Sequence, residues 1–369
     1  SSGGGIRQIN RTPGGILQWA RRLQSEIGDA DLIVLHTHNM DIIPLLALAG
    51  MRERPPVALL DHADHAFWAG ANLIDAVIST RQSGRRLCLR RRGIDPARSV
   101  LLPLCLDSAP TGASPAQARR QLNISDDRVV LLSVARSSKF TDFEGMSFLD
   151  HLVPVLRSDP RLLFIALGAG DALQVRVNGL GVGDQVRLLP ESPDTGVYFR
   201  AADIYLDTFP FASNTSMFEA GLHGVPVVTY FPFGPDCDVL GGDSPGLDRE
   251  LIRARSDREF AGHVQRLAGD TALRRRIGSR LRAEITATNT GPHDALFSIL
   301  YDTIPANTTY QSNSLRILTG PNAGAKTDAT NDDQAQYEAP AVRGKPLLTR
   351  VIIERARQGQ VVRGRHQRV

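Results

Sequence analysis

Between residues 206 and 228 the chain reads LDTFPFASNTSMFEAGLHGVPVV: the end of an apolar run, a loop of small hydroxyl and amide side chains, a helical pattern and a second apolar run. Asn214, Thr215 and Ser216 fall where a new helix begins, so their amides have no intrahelical acceptor and the helix dipole presents its positive end there. Free amides and hydroxyls together suit phosphate oxygens. Glu219, one turn further in, can accept hydrogen bonds from ribose hydroxyls. The same letters also fit an ordinary helix N-cap, because serine and threonine caps and an early glutamate are generic.

Other residues have the right type for chemistry. In SVARSSKF an apolar run ends and Arg136 and Lys139 follow, cations suited to a charged diphosphate. Solvated surface cations read the same way. LLDHADHAFWAG offers His62, Asp64 and His65, and either histidine can exchange a proton near neutrality. Helix capping by Asp61 or Asp64 beside exposed histidines is the competing reading. LHTHN adds His36 and His38, of which His38 is expected to face a ligand and His36 to be packed. Trp68 and Phe67 could stack on a sugar ring or belong to a core. Asp236-x-Asp238 has metal-motif spacing but sits in a Gly/Pro loop and is read as coincidence, so no metal is expected.

These residues need a scaffold that brings strand ends together, and the sequence supplies one. Short apolar runs at 31–36, 56–61, 75–80 and 99–104 alternate with helical patterns such as GGILQWARRLQSEI, the pattern of buried parallel strands. The alternation restarts at 128–135, 161–168, 185–189, 202–207 and 225–230, with helices expected at 145–157, 215–223, 247–254, 257–268 and 270–287. This predicts two doubly wound α/β domains: residues 1–107, a Pro/Ser/Ala-rich linker at 108–127, and residues 128–288. A C-terminal helix is expected at 289–305 and a largely disordered tail at 306–369, with one amphipathic helix near 346–358. Ligands of such sheets bind beyond the carboxyl ends of the strands, so a cleft between the domains is expected.

At 369 residues there is room for two cores. Cys88, Cys105 and Cys237 are odd in number and form no C-x-x-C pair, which excludes a disulfide framework or thiolate zinc site and points to a reducing cytoplasm. The apolar stretch at 42–51 contains Pro44 and falls short of the about 20 residues a bilayer span requires. The opening SSGGG has no signal-peptide character and no first strand, so the natural N-terminus is expected to lie further upstream. Residues 81–98 carry seven arginines around Asp95, which suits either a solvated face or peripheral contact with an anionic membrane. Nucleic acid is not expected as a partner, for want of interleaved aromatics.

Taken in order, Arg136-x-x-Lys139, the hydroxyl-rich helix start, Glu219 and Gly224-x-Pro226-Val227-Val228 resemble the nucleotide-binding domain of GT-B glycosyltransferases. DTFPFASNTSMFEAGLHGVPVVT is similar, without gaps, to the corresponding segment of O-GlcNAc-transferase-like enzymes, and the likeness extends to bacterial group 1 glycosyltransferases over about residues 10–305. The resemblance implies two Rossmann-like domains facing across a cleft and transfer of a sugar from a nucleotide donor, UDP- or GDP-linked, as co-substrate. Arg136, Lys139, Asn214, Thr215 and Ser216 would hold the diphosphate and Glu219 the ribose. Gly14 and Gly15 resemble the glycine-rich loop that approaches donor phosphate in such enzymes; a plain turn before a helix fits equally. The retaining group carries a second glutamate eight residues before the ribose glutamate, where this chain has Phe211, which favours inversion. Inversion needs a general base, and His65, Asp64, His62 and His38 are the candidates. The acceptor would be a glycan, a lipid-linked molecule or a protein, in cell-surface polysaccharide synthesis. A sugar-nucleotide 2-epimerase of the same fold and a non-catalytic sugar-nucleotide-binding scaffold are the alternatives.

Overall fold

The computed structural model describes residues 6–9, 12–107, 112–169, 171–234, 237, 243–290, 313–318 and 349–356. They divide into two units: residues 1–80 and 84–102 with the C-terminal segment form the first, and residues 81–83 with 103–293 the second.

In the first unit β2 (Leu32–Thr37), β3 (Val57–Asp61), β4 (Ala76–Ser79) and β5 (Ser99–Leu101) run parallel and adjacent in that order. Their continuous apolar runs leave both faces to be covered. Ile33, Leu35, Val57, Leu59 and Val77 pack under α1 (Ile16–Ile27) and α2 (Ile43–Ala49), while Leu32, Val34, Ala58, Ala76 and Ile78 form the opposite core. Helix α1 buries Ala20, Leu23 and Ile27, the inward stripe of an amphipathic helix. After β4 comes α3 (Gln82–Arg91).

The tail departs from expectation. Residues 313–318 (β12) and 349–356 (β13) are strands of the first sheet, which is ordered β1-β12-β13-β2-β3-β4-β5 with β1 at Ile6–Arg7. Strand β13 pairs antiparallel with β2, Ile352 opposite Val34. The helix expected near 346–358 is thus corrected to a strand: TRVIIERA concentrates β-branched residues, and an unpaired β2 edge is a template for backbone pairing. The helix expected at 289–305 lies almost wholly outside the described residues.

The second unit begins inside the expected linker. Ser114 and Gln117 form a reciprocal capping box that starts α4 (Pro115–Gln121), and Ala118 is buried. Six parallel strands follow, ordered β11-β10-β9-β6-β7-β8: β6 (Val129–Val134), β7 (Leu162–Leu167), β8 (Val186–Leu189), β9 (Ile204–Leu206), β10 (Val227–Tyr230) and β11 (Ile252–Ala254). Strand β11 replaces the C-terminal part of the helix expected at 247–254; Ile252, Arg253 and Ala254 register with Val228, Thr229 and Tyr230 at the sheet edge. Helices α5 (Phe148–Ser158) and α9 (Asp257–Gly269) cover one face, and α7 (Gly196–Ala201), α8 (Asn214–Leu222) and α10 (Thr271–Asn289) the other.

Strand order reverses at β6, which has β7 on one side and β9 on the other. Loops leaving neighbouring strands in opposite directions open a crevice at such a switch point, where α/β sheets bind ligands. Gly224, with φ +75°, ends α8 in the left-handed region, and a Cβ on Gly278 of α10 would lie 1.8 Å from its carbonyl oxygen. Much of the Gly-x-Pro signature is therefore packing: it lets α10 touch the turn that leads into β10.

Candidate functional site

At the switch point of the second unit, the loop after β6 carries Arg136 and the short 3-10 turn Ser137–Phe140, and the loop after β9 carries Asp207 to Ser213. Lys139 Nζ donates to the Ala212 carbonyl at 2.8 Å and so ties the two loops together. Burial, then the nearby positive charges of Arg136 and Arg81, lower the Lys139 pKa against the opposing effect of Asp207. Asp207 is buried and accepts from Ser213 N at 2.8 Å; burial pushes its carboxyl up to about 6 despite that bond and Lys139. Arg81, Arg136 and the buried Asp207 therefore all lie within electrostatic reach of Lys139, and Asp207 holds the Ser213 amide at the amino end of α8.

Arg81 was not read from the sequence as part of this group. It belongs to an arginine-rich run whose other members have different duties. Arg92 pairs with Asp61 at 3.0 Å and donates to the carbonyls of Asp64 and Ala66, both at 2.7 Å. Arg98 donates to Ala71 O at 2.9 Å and to Ile74 O. Of the seven arginines at 81–98, at least these two are turned onto the protein's own backbone.

Ser213 is the N-cap of α8 and Met217 N makes its first intrahelical bond, to Ser213 O, so the amides of Asn214, Thr215 and Ser216 precede the ladder. Thr215 is exposed there. Ser216 corrects the sequence reading: it is buried, its hydroxyl 3.2 Å from Ser213 Oγ, which donates to Val134 O. Only its backbone amide remains suited to an anion. Asn214 Nδ2 donates to Ser244 Oγ at 3.0 Å, which braces the helix start from the opposite loop. Glu219 accepts from Thr195 Oγ1 at 2.6 Å, and burial raises its pKa with Asp194 adding to the effect. A partly buried carboxylate with one oxygen engaged can still receive a hydroxyl. Phe211 stacks edge-on against Phe143 at 5.2 Å.

In the first unit, the loops after β2 and β3 line an open cavity of about 20 Å³, room for a water or two, among Thr37, His38, Asn39, Asp41, Asp61, His62 and Trp68. Asn39 Nδ2 donates to Phe67 O at 3.2 Å and joins the two loops. Met40 N donates to His38 Nδ1 at 3.3 Å, and the His62 ring meets His36 edge-on at 4.5 Å. Asp41, which sequence reasoning passed over, is 4% exposed; its Oδ1 accepts from Ile43 N at 3.0 Å, and burial pushes its pKa up to about 6.

Four sequence-derived base candidates thus separate. His38 and His62 line the cavity. Asp64 does not: it is buried against the first turn of α3, so close that a Cβ on Gly84 would lie 2.3 Å from Asp64 Oδ2. The side chain of His65 is about half exposed, 3.9 Å from Asp64, and is not part of the lining. Gly14 and Gly15 lead into α1, where Gly15 N donates to Gln18 Oε1 at 2.9 Å. That is a helix start, which both readings of these glycines share. Among the described residues no group of His, Cys, Asp and Glu could hold a metal ion, and Asp236 and Asp238 lie outside them. No described helix is long and apolar enough to cross a membrane.

Two Rossmann-like units in succession, the second with a ligand crevice at its switch point, define the GT-B fold class. No family model matches the sequence. The chain is 27% identical over 234 residues to the D-inositol 3-phosphate glycosyltransferase of Kineococcus radiotolerans, a match covering 56% of this chain and 52% of that protein. It thus spans about half the length of the curated relative. In fold it is similar to a glycosyltransferase from Rickettsia africae (TM-score 0.63, 12% identity, 80% of this chain and 83% of the other). Anabaena HepE, solved with UDP and glucose, is likewise similar (TM-score 0.61, 17% identity, 79% and 82%).

Proposed function

We propose that the protein is a glycosyltransferase that moves a sugar from a nucleoside diphosphate donor to an acceptor hydroxyl. The observation that carries this reading is the grouping of Arg81 and Arg136 about Lys139, which also feels Asp207, beside the α8 amides that precede the helical ladder, with Glu219 one turn further along. Cations and helix amides neutralise a leaving diphosphate as its charge develops, which lowers the barrier to breaking the anomeric C–O bond. Glu219 suits the ribose, its second oxygen being available beyond the Thr195 bond. The likeness in fold to HepE, whose structure holds UDP, supports UDP as the first nucleotide to test.

Transfer proceeds in this reading by attack of the acceptor oxygen on the anomeric carbon, departure of the nucleoside diphosphate with the bonding pair, and removal of the acceptor's proton. His62, in the lining of the first unit's cavity, is the proposed base, with His38 in the same lining. Phe211, packed on Phe143, supplies no carboxylate to shield the anomeric centre, which favours inversion.

Incubating the protein with UDP- and GDP-sugars, with and without acceptors, and measuring released nucleoside diphosphate tests the reading. Release stimulated by an acceptor is expected, and Lys139→Ala and Glu219→Ala should each weaken donor binding about tenfold, the cost of losing one charged hydrogen bond. Absence of UDP and GDP binding by calorimetry would refute it.

A further inference from the structure

The loop at residues 243–245 of the second unit joins three segments that are remote in sequence. Asp243 meets the segment that follows β4: its carbonyl accepts from Gln82 N at 3.3 Å, and its Oδ1 accepts from Ser83 Oγ at 2.7 Å, across 160 positions of chain. Ser244, the next residue, accepts from Asn214 Nδ2 at 3.0 Å at the start of α8. Pro245 O accepts from Asn289 Nδ2 at 3.2 Å, and the same amide donates to Leu104 O at 2.9 Å, so the last residue of α10 anchors the loop. Ser83, Ser244 and Asn289 are buried, so water does not compete for these bonds. All of these residues belong to the second unit.

What this bracket holds is Arg81. Its chain neighbour Gln82 and then Ser83 are bonded to Asp243, while Ser244 holds the start of α8, so the backbone that carries Arg81 is fixed close to the helix amides. Independently, the charge of Arg81 acts on Lys139. A guanidinium riding on an anchored backbone gives up less freedom when it reaches an anion, and its planar fork matches phosphate oxygens. Capping α3 does not require Asp243, because Asp64 already lies against the first turn of that helix, at Gly84. Charge does not explain it either. An acidic side chain near cations weakens their attraction for a phosphate, so Asp243 is unfavourable at such a site unless its geometry contributes more than its charge removes.

We propose that Asp243 is a positioning residue for the donor diphosphate: through Ser83 and the Gln82 amide it fixes residues 81–83 so that the Arg81 guanidinium engages the phosphates bound at Lys139 and the start of α8. This role rests on the proposed function. It adds a phosphate contact made by Arg81 and the residues that deliver it.

Calorimetric titration of the full-length protein with UDP, or with GDP where that binds better, tests the role. Arg81→Ala should weaken the nucleotide about tenfold, and Ser83→Ala and Asp243→Ala about three- to tenfold each. The sign is diagnostic for Asp243→Ala, since loss of a negative charge alone would tighten an anion. Arg253 of β11 also feels the Asp243 charge. Asp243→Asn removes that charge but keeps a carbonyl acceptor for Ser83, and should recover most of what Asp243→Ala loses. In an Arg81→Ala background neither the Ser83 nor the Asp243 change should weaken the nucleotide further, because both act through Arg81. Should Asp243→Ala fail to fold, Ser83→Ala, which removes one hydroxyl, carries the same prediction. Unchanged affinity in Arg81→Ala or Ser83→Ala, tighter binding in Asp243→Ala, or equal losses with and without Arg81 would each overturn the proposal. A wild type that binds UDP or GDP while the variants match it sinks this role alone; a wild type that binds neither sinks the transferase reading and this role with it.

Discussion

Asp41→Asn should make the protein more stable near neutrality and confer much less benefit in acid. Burial raises the Asp41 carboxyl from its ordinary value of 3.8 to about 6. A carboxyl with a raised folded-state pKa holds its proton more tightly folded than unfolded, so the stability it contributes is fully present below pH 3.8 and is lost as pH rises through about 6. With 1.36 kcal/mol per unit, the wild type forfeits about 3 kcal/mol by pH 7.5 but only about 0.6 kcal/mol at pH 4. Asparagine does not titrate, so any constant cost of its buried amide shifts both conditions equally. The gap between variant and wild type should therefore widen by about 2.4 kcal/mol from pH 4 to pH 7.5. Urea unfolding followed by Trp68 fluorescence in the Trp19→Phe background measures it, because Trp68 packs into the core of the first unit. A gap that stays constant within about 0.5 kcal/mol would show that Asp41 is solvated or paired in solution, and the reasoning from its burial would fail.

Three further outcomes follow from particular contacts. Gly278→Ala should lower the melting temperature by several degrees, since its Cβ would meet the Gly224 carbonyl oxygen at 1.8 Å and overpacking against backbone costs about 1–3 kcal/mol. Burial beside Arg200 and Arg282 lowers the His223 pKa to about 4, so the stability it contributes is present above 6.5 and is lost as pH falls through about 4. His223→Gln should flatten the wild-type fall in urea midpoint between pH 7 and pH 4. Turnover with the best donor and acceptor should fall at least a hundredfold in His62→Ala, the usual scale of lost acid–base assistance. The same assay should leave His65→Ala within about twofold of wild type, because that ring is outside the cavity lining.

The central parallel strands were legible because both their faces are buried, which writes them as unbroken apolar runs: Leu32–Leu35, Val129–Leu132 and Leu162–Leu167 could be little else. Strand β11 escaped because it is three residues long, contains Arg253 and lies at a sheet edge, where pairing rather than composition decides the conformation. The cation pair Arg136 and Lys139 could be placed from the strand end preceding it, whereas Arg81 could not: it is brought to Lys139 by tertiary folding across 58 positions of chain. Among the histidines, the sequence showed which loop would present them but not which way each ring would turn. Asp41 did leave a signal, standing two residues before the apolar run Ile43-Pro44-Leu45, the mark of a helix start. That signal accounts for only one of its oxygens.

Two buried carboxylates with similar acidity make the difference between structural and functional burial concrete. Burial carries both Asp41 and Asp207 to about 6. Asp207 has the ammonium of Lys139 to oppose that rise, together with the amides of Ser213 and Thr208 and the Thr229 hydroxyl, so its charge is part of a set that holds two loops at the switch point. Asp41 has one amide and no counter-charge. Asp41 instead accepts the Ile43 amide just ahead of α2, where the positive end of that short helix offsets part of the cost of burying its charge.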